Sequence, residues 1–103
     1  MAEGRELKVQ VGALRRLSKE LTIYLREKEE LEDSARERRH EGEFEAKRLD
    51  NLLEEHEGAM RQTSVRLNST VGKVETLLAS FEGDEELSRE AREVLEQARR
   101  LCS

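Results

Sequence analysis

Two histidines (His40 and His56), one cysteine (Cys102) and 24 acidic side chains are the residues of this chain best suited to act as general bases, thiol nucleophiles or metal ligands. Their spacing does not bring them together. Nucleophilic catalysis needs a base within hydrogen-bond reach of the nucleophile and a third group to orient it. His40 falls in a charged turn, His56 in the middle of a helical pattern and Cys102 near the end of another. The same scatter argues against a His/Cys metal site. No glycine-rich phosphate loop follows a strand, because no segment has a strand pattern. The carboxylates are many, but nothing suggests an apolar cleft that would perturb them. The chain reads as a non-enzyme with no cofactor and no metal.

One pair of titratable residues stands out. Lys28 and His56 both occupy positions where a helical seam should be apolar, and folding the chain back on itself sets them opposite each other. Such a polar layer could respond to pH. The plainer reading is a register-setting or solvent-reaching pair at the edge of a thin bundle.

The elements that must position these residues are helices. The chain has 103 residues, is 42% charged and 35% hydrophobic, and has only three aromatics, Tyr24, Phe44 and Phe81. That is too little apolar material for a thick core but enough for narrow helix seams. Proline is absent, which favours long uninterrupted helices.

Leu7, Gln10, Leu14, Leu17, Leu21, Tyr24, Lys28, Leu31 and Ala35 follow alternating steps of three and four, the seam of a heptad helix. A basic run, Arg36, Arg38, Arg39 and His40, followed by Gly42, signals a stop. A second seam runs through Leu49, Leu53, His56, Met60, Thr63, Leu67, Thr70, Val74, Leu77 and Phe81 to Gly83. Asp84 is a good N-cap for a third, carrying Leu87, Ala91, Val94, Ala98 and Leu101. Folded about Gly42, the first two seams register along their length, and folded about Asp84 the third registers on the second. The expected fold is all-α: an elongated antiparallel three-helix bundle, one domain over residues 1–103. Helix 1 covers about 6–40, helix 2 about 44–82 and helix 3 about 85–102. This periodicity argues against disorder, which so much charge would otherwise suggest.

The lengths are unequal. The first two helices would span roughly 50 Å and the third roughly 27 Å. The third can therefore cover the hairpin only back to about Leu17 and Leu67, leaving the half around Gly42 as two helices alone.

Apolar and small residues also lie off the seams. Val9 and Ile23 share one outward line with Arg16 between them, and Gly12, Arg15, Lys19 and Arg26 lie beside it. Helix 2 has an outward line of Asn51, Gly58, Val65, Gly72 and Ala79. A solvated outer face should be rich in Glu and Lys, and each helix-interior glycine costs roughly 1 kcal/mol relative to alanine. Partial packing under helix 3 would account for Gly72 and Ala79. Asn51, Gly58 and Val65 lie beyond its reach and suggest a partner surface. Leu25, Leu52 and Ala59 flank the seam in that half. A net charge of −5 speaks against nucleic acid. No apolar run approaches a membrane span, and a lone cysteine fits a reducing compartment.

The segment from Leu7 to Glu20 resembles the first helix of the tubulin-binding cofactor A family, with Lys8, Gly12, Arg16, Leu17, Lys19, Glu20 and Tyr24 matching in order without gaps. Lys47-Arg48, Leu52-Leu53-Glu54-Glu55 and Arg66-Leu67 are similar to the family's second helix. Family members have a proline in that helix where Arg61 stands here, so no kink is expected at that point. The resemblance implies a three-helix fold and a cytoplasmic, cytoskeleton-associated chaperone. Such a chaperone holds quasi-native β-tubulin after chaperonin release and passes it on for assembly with α-tubulin, without nucleotide or metal. Other tubulin-folding cofactors are then further partners, and the chain is a monomer or weak homodimer. The residues expected to meet the client are Val9, Gly12, Arg15, Arg16, Lys19, Ile23, Arg26, Asn51, Gly58 and Val65. The competing reading is a general coiled-coil adaptor or homodimerising scaffold.

Overall fold

Leu7, Leu14 and Leu21 recur every seven residues with Leu17 between the last two, and all four are buried. That one stripe organises the molecule. In the computed structural model, which describes residues 2–102 apart from the side chains of Ala2, Glu3 and Arg39, three helices pack along it. They are α1 (Ala2–Arg38), α2 (Glu43–Ser80) and α3 (Glu85–Cys102). A 3₁₀ turn, Arg39–Glu41, joins the first two. Met1, Ser103 and the Arg39 side chain of the basic run lie outside the described residues, among which there is no strand.

The helix ends depart from the seams for local reasons. α1 starts at Ala2, earlier than its first seam leucine, because its first turn has tertiary support: the Phe81 ring packs on Gly4. It stops at Arg38, where the chain tightens into the 3₁₀ turn. Gly42 follows at φ 135° and ψ 166°, backbone that is essentially reserved for glycine. α2 stops at Ser80 because Phe81 turns extended, its N–H donating to the Leu78 carbonyl at 3.3 Å. This swings the ring over Gly83, where a Cβ would sit 2.8 Å from the ring's Cζ, so the close approach requires glycine. Asp84 then caps α3: its Oδ1 accepts from the backbone N–H of Glu86 at 2.9 Å and of Leu87 at 3.4 Å.

The core sits at one end. Leu7, Val11, Leu14, Leu17 and Leu21 of α1, Leu67 and Val74 of α2, and Leu87, Ala91, Val94, Leu95 and Ala98 of α3 form one buried cluster. Val11 and Leu95 lie off the seams. They are buried because a third helix packs into the groove on the flank of a hairpin, so α1 and α3 need a wider apolar stripe than a two-helix seam provides. Toward the Gly42 turn, burial thins to Ala35 and Leu49, while Tyr24, Leu31, Leu53 and Met60 are only half-buried. The molecule measures 61 × 18 × 17 Å. Its radius of gyration is 18.3 Å, against about 13 Å for a compact domain of this length.

Candidate partner-binding surfaces

In the bare arm, His56 does not meet Lys28. Its Nε2 lies 2.7 Å from the backbone carbonyl of Tyr24 and donates to it, and its ring stands edge-on to Tyr24 with centroids 5.4 Å apart. Nδ1 is 3.9 Å from the Glu27 carboxylate, and the imidazole is 9% exposed. Helix geometry explains the difference. A carbonyl points along the axis toward the residue four ahead, so the Tyr24 oxygen reaches the level of Lys28 and is what His56 finds there. Lys28 turns along its own helix to Glu32, 4.0 Å away. The polar layer is a hydrogen-bonded clamp between α1 and α2 rather than a Lys28–His56 pair.

No group of three or more His, Cys, Asp or Glu converges among the described residues. Burial pushes the Cys102 thiol up, so it is mostly protonated at neutral pH and a poor nucleophile. No described helix is long and apolar enough to cross a membrane.

On α1, Val9 is 61% exposed and Ile23 is exposed on the same line, with Gly12, Arg16, Lys19 and Arg26 around them. Arg16, Lys19 and Arg26 have no ion pair among the described residues. Arg15 differs: it pairs with Glu90 of α3, so its charge is partly spent on holding the bundle together. Lys19 also borders a shallow cleft between α1 and the end of α3, lined by Arg15, Ser18, Thr22, Gln97 and Leu101.

On α2, Val65 is 67% exposed and Asn51 is exposed, with Gly58 on the same line. A Cβ built on Gly12, Gly58 or Gly72 would meet nothing within 4 Å. Packing under α3 therefore does not account for Gly72, and Ala79 is exposed as well. The line continues one heptad earlier to Phe44, which is 84% exposed, the barest large apolar side chain described. Sequence reasoning passed over it, although its spacing of seven from Asn51 was there to be read. Next to it, a two-pronged hydrogen bond from Arg48, at 2.6 and 3.1 Å, holds the Glu45 carboxyl below its ordinary range.

The ten candidate residues thus fall into two patches. Each lies opposite its own helix's buried stripe, so α1 and α2 present them in different directions.

A three-helix chain with these exposed faces, and a first helix patterned on Gly12, Arg16 and Lys19, matches the family model for tubulin binding cofactor A over residues 2–100. The chain belongs to the tubulin binding cofactor A family. Its fold is similar to the crystal structure of tubulin folding cofactor A from Arabidopsis thaliana, with a TM-score of 0.86 and 22% sequence identity, covering 97% of this chain and 98% of that one. Among curated protein sequences none matches this chain. Family membership supports a tubulin-binding-cofactor role, not that of a known enzyme family, and the structural likeness supports the fold.

Proposed function

We propose that this chain binds and holds quasi-native β-tubulin after its release from chaperonin and passes it on for assembly with α-tubulin, by non-catalytic contact in the cytoplasm. Other tubulin-folding cofactors are natural partners in that transfer. Membership of the tubulin binding cofactor A family supports tubulin as the client. The observation that carries the reading is the exposure of Val9 and Val65 on faces turned away from the core, beside cations that have no ion pair among the described residues. A client still short of its final contacts exposes apolar surface, and tubulin as a whole is acidic. An apolar contact ringed by arginines and lysines suits such a surface in both respects. Val9, Gly12, Arg16, Lys19, Ile23 and Arg26 would make one contact and Asn51, Gly58 and Val65 the other, with Arg15 contributing from its pair with Glu90.

The test is a pull-down of purified protein against β- and α-tubulin released from chaperonin. Retention of β-tubulin in preference to α-tubulin is expected, and retention of neither would sink the reading. Leu25, exposed on the bare arm, favours a second reading in which two copies associate through that arm. Sedimentation at low micromolar concentration separates them: a monomer with free arm surface is expected, and a stable dimer would favour the scaffold.

A further inference from the structure

The outer face of α2 carries an inference that deepens the tubulin reading and rests on it. From Gly58 to Val74 the helix has no aspartate or glutamate, in a chain with 24 of them. Directly opposite the buried residues Thr63, Leu67, Thr70 and Val74 runs a second row at steps of four and three: Gly58, Gln62, Val65, Ser69, Gly72 and Thr76. None of the six is charged, although a chain that is 42% charged would place two or three charges among six surface positions. Cations line the row, Arg61 on one edge and Arg66 and Lys73 on the other. None of these three has an ion pair among the described residues, whereas Arg15, Arg48 and Arg99 each find a carboxylate. Two shallow depressions follow one another along the row, one bounded by Gly58, Arg61, Gln62, Val65 and Arg66, the next by Ser69, Gly72, Lys73, Thr76 and Leu77 with Glu6 of α1, the one carboxylate in either lining, at its rim.

The two glycines serve no packing inside the chain, since a Cβ at either would meet nothing. They lower the helix's own propensity, and what they offer is close approach from outside. The row is about 27 Å long, and its heptad spacing matches the ridge of another helix rather than an extended strand.

We propose that this strip docks a single acidic, amphipathic helix on the surface of the tubulin client. Its apolar ridge lies along Gly58, Val65 and Gly72 at close interaxial distance, and its flanking carboxylates meet Arg61, Arg66 and Lys73. The free cations favour an acidic occupant. Three of them on a chain of net charge −5 are too few to track a phosphate backbone.

Two variants test it, each checked for unchanged helicity. One reverses the edges (Arg61→Glu, Arg66→Glu and Lys73→Glu together). The other fills the row (Gly58→Leu with Gly72→Leu), changes that favour the helix itself. Arg92→Glu on α3, outside the strip, is the control. Affinity for β-tubulin should fall about tenfold or more in both variants, stay level in the control, and lose most of its salt dependence in the edge-reversed protein. Folded variants that capture β-tubulin as well as the unaltered chain would overturn this inference alone. No capture by the unaltered chain would overturn the functional reading and this inference with it. A change confined to the sedimentation mass of the protein by itself, with capture intact, would assign the strip to a second copy and overturn the inference.

Discussion

The two ends of the hairpin are built from the same heptad pattern and come out differently. At the covered end α3 fills the flank, and Leu7, Leu14, Leu67 and Val74 are fully enclosed. In the arm the same kinds of residue, Leu31, Leu53 and Met60, keep part of their surface in water, and a histidine clamp stands where a leucine would pack. A two-helix seam encloses each side chain on one side only, so the hydrophobic contribution per residue must be smaller there. The stability of the molecule belongs to the covered end, and the arm extends from it as surface. The candidate contacts on α1 from Val9 to Lys19 lie along the covered end and Ile23 and Arg26 at the start of the arm, whereas Asn51, Gly58 and the bare Phe44 lie on the arm.

The comparison can be broken by truncating matched leucines. Leu67→Ala, at a fully buried site, should lower stability by about 2–5 kcal/mol in urea denaturation. Leu53→Ala, half-buried in the arm, should lose roughly 1–2 kcal/mol. Equal losses would mean that the arm is packed as firmly as the bundle.

Gly58→Ala should raise stability by roughly 0.5–1 kcal/mol, because the added methyl meets nothing and the helix gains propensity. A lower thermal midpoint would reveal an internal constraint at that position. The smallest effect is expected from His56→Leu, about 0.5 kcal/mol, since the Tyr24 carbonyl keeps its helical partner. Its signature is local. Amide exchange should quicken between Tyr24 and Ala35 and stay unchanged between Leu7 and Leu17; a uniform change would show that the clamp serves the whole molecule.

Much of the bundle was legible because heptad spacing and burial are the same physics. A leucine every seven residues has to be enclosed by something, and Leu7, Leu14, Leu21 and Leu67 are. Asp84 was legible because its carboxylate can reach the free amides of the following turn. What escaped depended on the third dimension. Val11 and Leu95 are buried by where α3 lies, not by the seam of their own helix. His56 pairs with a backbone carbonyl, which no side-chain pattern announces. Arg15 reads as a free cation until α3 brings Glu90 to it. The extra turn of α1 at Ala2 depends on a ring, Phe81, from the far end of α2 in sequence. For the candidate surfaces, residue type and outward position could be read in advance. Their division into two differently directed patches needed the packed helices.

Residue-resolved hydrogen exchange of the free protein under native conditions tests most directly whether the hairpin has a covered scaffold and a bare arm. Amides around Leu7–Leu21, Leu67–Val74 and Leu87–Ala98 should share the highest protection and exchange only by global unfolding. Those from Tyr24 to Arg38 and from Glu43 to Met60 should exchange through smaller, local openings. One uniform level of protection from end to end would contradict the account.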